Sequence, residues 1–192
     1  MIGGASIGGT ALGVDFAPSV IANPAIIKQL QVTGVPGTPD SILGGLSNGF
    51  PEGTLKAIAQ SRAGGSQYTT NPASLSYPLK GVTYVELPSG GVWNAANVSG
   101  GGMLIVHNGA KNALITNTSG NFVGLAISDD IIHLHSNFLG AVISLTPAPS
   151  AGNVIGNAIG SVLYSSEVLL KTTEMLFTFG NGSAANVIAW KE

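Results

Sequence analysis

From Val82 onward the apolar residues come in short runs, continuous or alternating, separated by Asn-Gly, Ser-Gly and Asn-x-x-Gly, a pattern that predicts brief β-strands joined by tight turns. The first 50 residues read differently. There GG, NP, GVPGTP and SNG break the chain too often for long helices. Two short helices are predicted in this part. Thr38 is placed to cap one that starts at Pro39 and runs through Leu46, since proline is tolerated at the first helical position. A second runs from about Pro51 to Arg62, where Leu55, Ile58 and Ala59 fall on one helical face. The chain is therefore divided into residues 1–65, an irregular or short-helical cap, and 66–192, a β-domain.

The β-domain carries an internal repeat. Asn97-Val98-Ser99-Gly100, Asn121-Phe122-Val123-Gly124, Asn137-Phe138-Leu139-Gly140 and Asn157-Ala158-Ile159-Gly160 share Asn-x-x-Gly, and each leads into a strand-like run. Registered on Gly102, Gly124, Gly140 and Gly160, the third following residues are Ile105, Ile127, Ile143 and Leu163. Such a column is what stacked parallel coils require, because equivalent side chains pile up at the strand spacing. The expected fold is all-β, a right-handed parallel β-helix, with the four aliphatics buried in one stack. Asn121 and Asn137 are expected at equivalent corners, their amides laddered, and residues 108–111 should bulge from a coil. An antiparallel sandwich with Asn and Gly in hairpin turns is the alternative, but it leaves the aliphatic column unexplained.

Composition narrows the function. Seven basic and nine acidic side chains give a net charge of −2, where a domain of this length typically carries about 48 charged residues. Seven dispersed cations make no basic stripe for nucleic acid. There is no cysteine, which excludes disulfides, thiolate metal sites and cysteine nucleophiles. With a mean hydropathy of +0.38 and much Asn, Ser, Thr and Gly, the chain fits an exported bacterial surface protein, and it contains no run long enough to span a membrane.

Candidate chemistry is sparse. Gly4-Ala5-Ser6-Ile7-Gly8 matches a nucleophile elbow, but no strand pattern precedes it and a glycine-rich turn is the plainer reading. The densest polar cluster is Ser128 to His135. On a strand His133 and His135 share a face, Asp129 lies at the nearby corner, and His107 falls in the Asp129 column one coil earlier, making His107, Asp129, His133 and His135 weak metal candidates. An outward strand face is polar by default, so no metal or other cofactor is expected. Asp129 and Asp130 invite comparison with the carboxylate pairs of glycosidases, but neighbours on a strand diverge. Asn97-Val98-Ser99, Asn117-Thr118-Ser119 and Asn181-Gly182-Ser183 match the glycosylation pattern, as chance predicts in such a composition. Gly152, Gly156 and Gly160 have helix-dimer spacing but lie outside any apolar span.

The stretch from Gly81 to Ser166, with GVTYVELPSGG, GGMLIVHNGAKNALITN, GNFVGLAISDDIIHLHSNFLGAVISL and GNVIGNAIGSVLYSSE, resembles bacterial PilX-like type IV pilus assembly proteins. The closing Asn186-Val187-Ile188-Ala189-Trp190-Lys191-Glu192 is similar to that family's ending. The resemblance implies a soluble region of a protein anchored by an upstream apolar helix, which this chain lacks. Function is accordingly expected to be structural and non-enzymatic, extracellular or on a bacterial cell surface. Pilus or surface proteins are the expected partners, with self-association through the coil ends. A carbohydrate-binding or surface adhesin module is the first alternative, distinguished by an aromatic strip on a coil face, and a polysaccharide-active β-helical enzyme is the second, distinguished by convergent carboxylates.

Overall fold

A computed structural model gives the fold of residues 37–146, 150 and 160–180 and of two short strands, β1 (Ser6–Ile7) and β2 (Val14–Asp15). Helix α1 (Pro39–Ile42) starts where the sequence places it. The Thr38 side chain accepts from the Ser41 N–H, the Ser41 hydroxyl accepts from the Thr38 N–H, and Pro39 opens the helix. It ends short of Leu46, because Gly44 at φ 94° turns the chain into a 3-10 turn, Gly45–Asn48. Helix α2 (Thr54–Ser61) buries Leu55, Ile58 and Ala59 as its periodicity predicts. Its cap comes from α1: the buried Asp40 carboxylate accepts from the Gly53 N–H at 3.0 Å and the Leu55 N–H at 2.9 Å.

The strands that follow are β3 (Gln67–Thr69), β4 (Val82–Glu86), β5 (Val92–Asn94), β6 (Gly100–His107), β7 (Leu114–Thr118), β8 (Asn121–Ser128), β9 (Asp130–Leu134), β10 (Asn137–Ser144) and β11 (Ser161–Tyr164), and α3 (Ser166–Gly180) succeeds them. They form two parallel sheets. The larger runs β1-β11-β10-β8-β6-β4-β3, with β2 also on β10, and the smaller runs β5-β7-β9. From β4 to β10 the chain changes sheet with every strand. One apolar core fills the space between the sheets, with Leu104, Val106, Phe122 and Phe138 meeting Trp93, Ile115 and Ile131. A second core covers the other face of the larger sheet, where Tyr84, Met103, Ile105 and Ile127 meet Leu55 and Ile58 of α2 and Leu176 of α3.

That second core corrects the expected all-β, right-handed β-helix. The described residues form an α/β arrangement of helices, larger sheet and smaller sheet, and no closed solenoid. The physical reason lies in the apolar runs themselves. Val82–Val85 and Met103–His107 are buried on successive positions, so the strands have two apolar faces, and helices must cover the outer one. Helix α3 falls inside the segment read as purely β. Its Leu169, Thr172 and Leu176 turn to one side, and it packs on β6, β8 and β10.

The register expected from the repeat holds over three of its four copies. Ile105 pairs with Ile127 and Ile127 with Ile143; the first two are fully buried and Ile143 is partly so. Leu163 does not join them. Tyr164, not Gly160, lies opposite Gly140, so Leu163 pairs with Leu139 and stays exposed. The Asn137 amide donates to Asn121 Oδ1 at 2.9 Å, and the Ser161 hydroxyl donates to Asn137 Oδ1 at 2.8 Å, so a serine fills the next rung. Asn97 instead accepts from the Ser99 N–H within its own turn, and Asn157 lies outside the described residues. The 108–111 segment is a turn with Gly109, Ala110 and Lys111 exposed. Ser6 pairs with Ser161 as part of a strand, which removes the elbow geometry and the turn read there. Asn181-Gly182-Ser183, Gly152, Gly156 and the closing Trp190 segment lie outside the described residues.

The close approach of neighbouring strands is concentrated in one glycine column. Gly124, at φ +147°, has Gly102 O only 1.9 Å from where a Cβ would stand, and Gly140, at φ +134°, meets Gly124 O at 2.0 Å. Backbone on the adjacent strand cannot yield as a side-chain tip can. Gly124→Ala is expected to destabilise the fold by at least about 2 kcal/mol in urea unfolding, and Gly109→Ala, with nothing within 4 Å, by less than about 0.5 kcal/mol. Equal effects at the two sites would contradict the close-approach explanation.

Candidate functional site

The weak metal candidates separate into two pairs. Asp129, fully buried between β8 and β9, accepts from or pairs with His107 Nδ1 at 2.5 Å through Oδ1. Its Oδ2 accepts from the Asn108 N–H at 3.0 Å and the Ala113 N–H at 3.1 Å. Asn108 in turn donates from its side chain to Pro88 O and Asn112 Oδ1, and Asn112 Oδ1 accepts from the Gly90 N–H. Asp129 is thus the centre of a polar corner that ties together turns from three successive levels of the stack. His133, on the edge strand β9, and His135, just past its end, are half-buried with ring centroids 6.3 Å apart, but His133 sits at φ 54°, so the strand alternation expected to put them on one face does not hold there. Among the described residues no three His, Asp or Glu side chains come together. Asp130 accepts from the Ile131 and Ser150 N–H groups, so both adjacent carboxylates are committed to backbone donors.

A second polar cluster joins α2 to the larger sheet. Lys56 of α2 donates to Glu86 Oε2 at 2.7 Å, the Tyr68 hydroxyl donates to the same oxygen at 2.5 Å, and the Lys56 ammonium lies 5.3 Å from the Tyr68 ring centroid. The hydrogen bonds from Lys56 and then Tyr68 hold Glu86 below its ordinary 4.5, and the bonds to Glu86 hold Lys56 and Tyr68 above theirs. Each group is driven deeper into its resting charge state. Acid and base catalysis needs the opposite, values brought toward the working pH, so the cluster has the electrostatics of a clasp. At Asp40 the balance differs: burial raises its pKa more than the Leu55 and Gly53 N–H groups lower it. Sequence reading missed the Lys56–Tyr68–Glu86 cluster, because its members meet only through the β3–β4 register and the seating of α2.

Two grooves open near the β3 and β5 edges, the first bordered by Tyr68 of the second cluster. One, of about 630 Å³, has Arg62, Gln67, Ser76, Tyr77 and Lys80 among its lining residues. The other, of about 460 Å³, is lined by Val92, Trp93, Asn94 and Asn97, and again by Tyr77. The wall between them is already built. Gln67 Nε2 donates to Ser76 O at 2.9 Å and Gln67 Oε1 accepts from the Ser76 N–H at 2.7 Å, while the Thr69 hydroxyl donates to Asn71 O and Asn71 Oδ1 accepts from the Ala73 N–H. Tyr77 is 41% exposed where the grooves meet, and burial of part of the side chain raises its hydroxyl pKa. The expectation of an aromatic on an exposed face had no repeat column to reveal this residue. No family model, curated protein or solved structure matches the chain.

Two outcomes follow from the clusters. Asp129→Ala should lose about 3 to 5 kcal/mol in urea unfolding, since it strands His107 and two buried N–H donors, whereas His133→Ala and His135→Ala should each lose less than about 1 kcal/mol. Glu86, with its folded pKa lowered, contributes stability that is present above about pH 4.5 and is lost as pH falls through the folded value. The stability gap between the parent and Glu86→Gln should therefore be widest at neutral pH and close in acid. A gap that stays constant from pH 7 to pH 3 would exclude the clasp.

Proposed function

We propose that the chain is a non-enzymatic surface module that binds a glycan where the two grooves meet at Tyr77. The observation that carries this reading is the placing of one exposed aromatic ring, shared by both grooves, among side-chain amides and hydroxyls. A sugar has an apolar C–H face that lies on an aromatic ring and a rim of hydroxyls that both donate and accept. Asn94 offers an amide able to do both, Asn97 accepts from the Ser99 N–H and keeps its amide nitrogen to donate, and Trp93, buried in the core between the sheets, lines the second groove. The wall around Tyr77 is internally hydrogen-bonded, so a ligand has little chain to order on arrival.

This is the adhesin alternative, and it keeps the structural, extracellular or cell-surface setting that the resemblance to pilus assembly proteins implies. A pilus or another surface protein would carry the module, with the glycan groove left open. The polysaccharide-cleaving alternative is less well supported, because Asp129 and Asp130 are taken up by backbone donors and by His107.

The test is calorimetric titration of the chain with a panel of soluble oligosaccharides. At least one should bind, and Tyr77→Ala should weaken it about tenfold while leaving the unfolding midpoint unchanged. Failure of the whole panel, or full affinity in Tyr77→Ala, would sink the proposal.

A further inference from the structure

We infer that the glycan taken by this site is acidic, its carboxylate or sulfate groups held by Arg62 and Lys80 while a sugar ring lies on Tyr77. The inference rests on the glycan reading above and adds the ligand's charge. It starts from where the chain leaves its cations unpaired. Of the basic residues among the described ones, Lys56 is committed to Glu86 and Lys171 to Glu167. Arg62, Lys80 and Lys111 make no ion pair among the described residues, and the first two line the same 630 Å³ groove. No Asp or Glu lines it. In a chain of net charge −2, this groove is a local concentration of positive charge without an internal counterion.

The backbone fixes where both side chains start. Arg62 is the residue on which α2 ends, in the left-handed region at φ 62° and ψ 13°, a conformation uncommon for a residue with a Cβ. Lys80 precedes β4, and its stem lies along Gly65, where an added Cβ would come within 3.2 Å of Lys80 Cβ. Tyr68, also in the lining, points its hydroxyl at Glu86 and offers the groove no further anion. Both cations are exposed at the surface, so their attraction for an anion is screened by salt, which gives the experiment a second readout. Two charges are too few to track a phosphate backbone, which separates this site from a nucleic-acid surface.

The experiment titrates the chain by calorimetry at low and moderate salt with oligogalacturonate, a sulfated dextran oligomer, neutral dextran oligomers and poly-glutamate. Arg62→Gly is the variant of choice because glycine suits the left-handed position, and Lys80→Gln removes the second charge. Lys111→Gly is the matched control, an unpaired cation at φ 54° outside the groove. Binding of the carboxylated or the sulfated sugar, weakened roughly tenfold by each groove variant and by added salt but not by Lys111→Gly, is the expected result, and the preferred arm identifies the acid. Equal binding of neutral dextran with no effect of Arg62→Gly or Lys80→Gln would overturn the acidic ligand and leave the glycan reading standing. Equal binding of poly-glutamate would overturn it in favour of a general polyanion surface. No binding of any sugar would remove both.

Discussion

A parallel sheet with two apolar faces has to be covered twice, and most of this molecule follows from that need. Strands β4, β6, β8 and β10 place Leu104 and Phe122 on one side and Ile105 and Ile127 on the other. The smaller sheet covers the first side, and α2 and α3, drawn from opposite ends of the described chain, cover the second. Because the helices are needed as lids, their seating fixes the polar contacts they make at the margin. Lys56 reaches Glu86 only because α2 lies on β3 and β4, and Asp40 reaches the first turn of α2 only because α1 lies beside it.

The local rules were legible in the sequence wherever a single residue decides the backbone. Thr38 before Pro39, the Leu55–Ile58–Ala59 spacing and the Asn-x-x-Gly repeat each led to the element or register found. The reading went wrong where burial on both faces had to be distinguished from burial on one. A run such as Met103 to Val106 has no alternation to show which side meets helices, so the pattern predicts the buried stack of Ile105 and Ile127 but not the helices that cover it. The slip at Leu163 has a similar origin. Gly160 resembles the other repeat glycines, but the rung of the polar ladder is Ser161, whose hydroxyl serves as well as an amide.

The site was legible only in part. The pairing of His107 with Asp129 follows from the repeat, since column neighbours must meet when strands stack. What the repeat could not show is that Asp129 would be consumed by Asn108 and Ala113 N–H groups, because turn backbone donors leave no mark in residue type. Tyr77, Arg62 and Lys80 lie outside the repeat altogether. They converge because α2 ends beside β3 and the 70–78 segment folds back across it, a tertiary arrangement with no periodic signature.

The reciprocal bonds between Gln67 and Ser76 bear on colloidal behaviour as well as on shape. Strand β3 is the terminal strand of the larger sheet, so its outer rim is where another chain would add by strand pairing, and its three-residue length already limits that pairing. A glutamine side chain that satisfies both a carbonyl and an N–H of its own loop folds that loop back beside the rim. The consequence is a molecule that can be crowded at high local density with one of its sheet ends guarded against templated fibre growth.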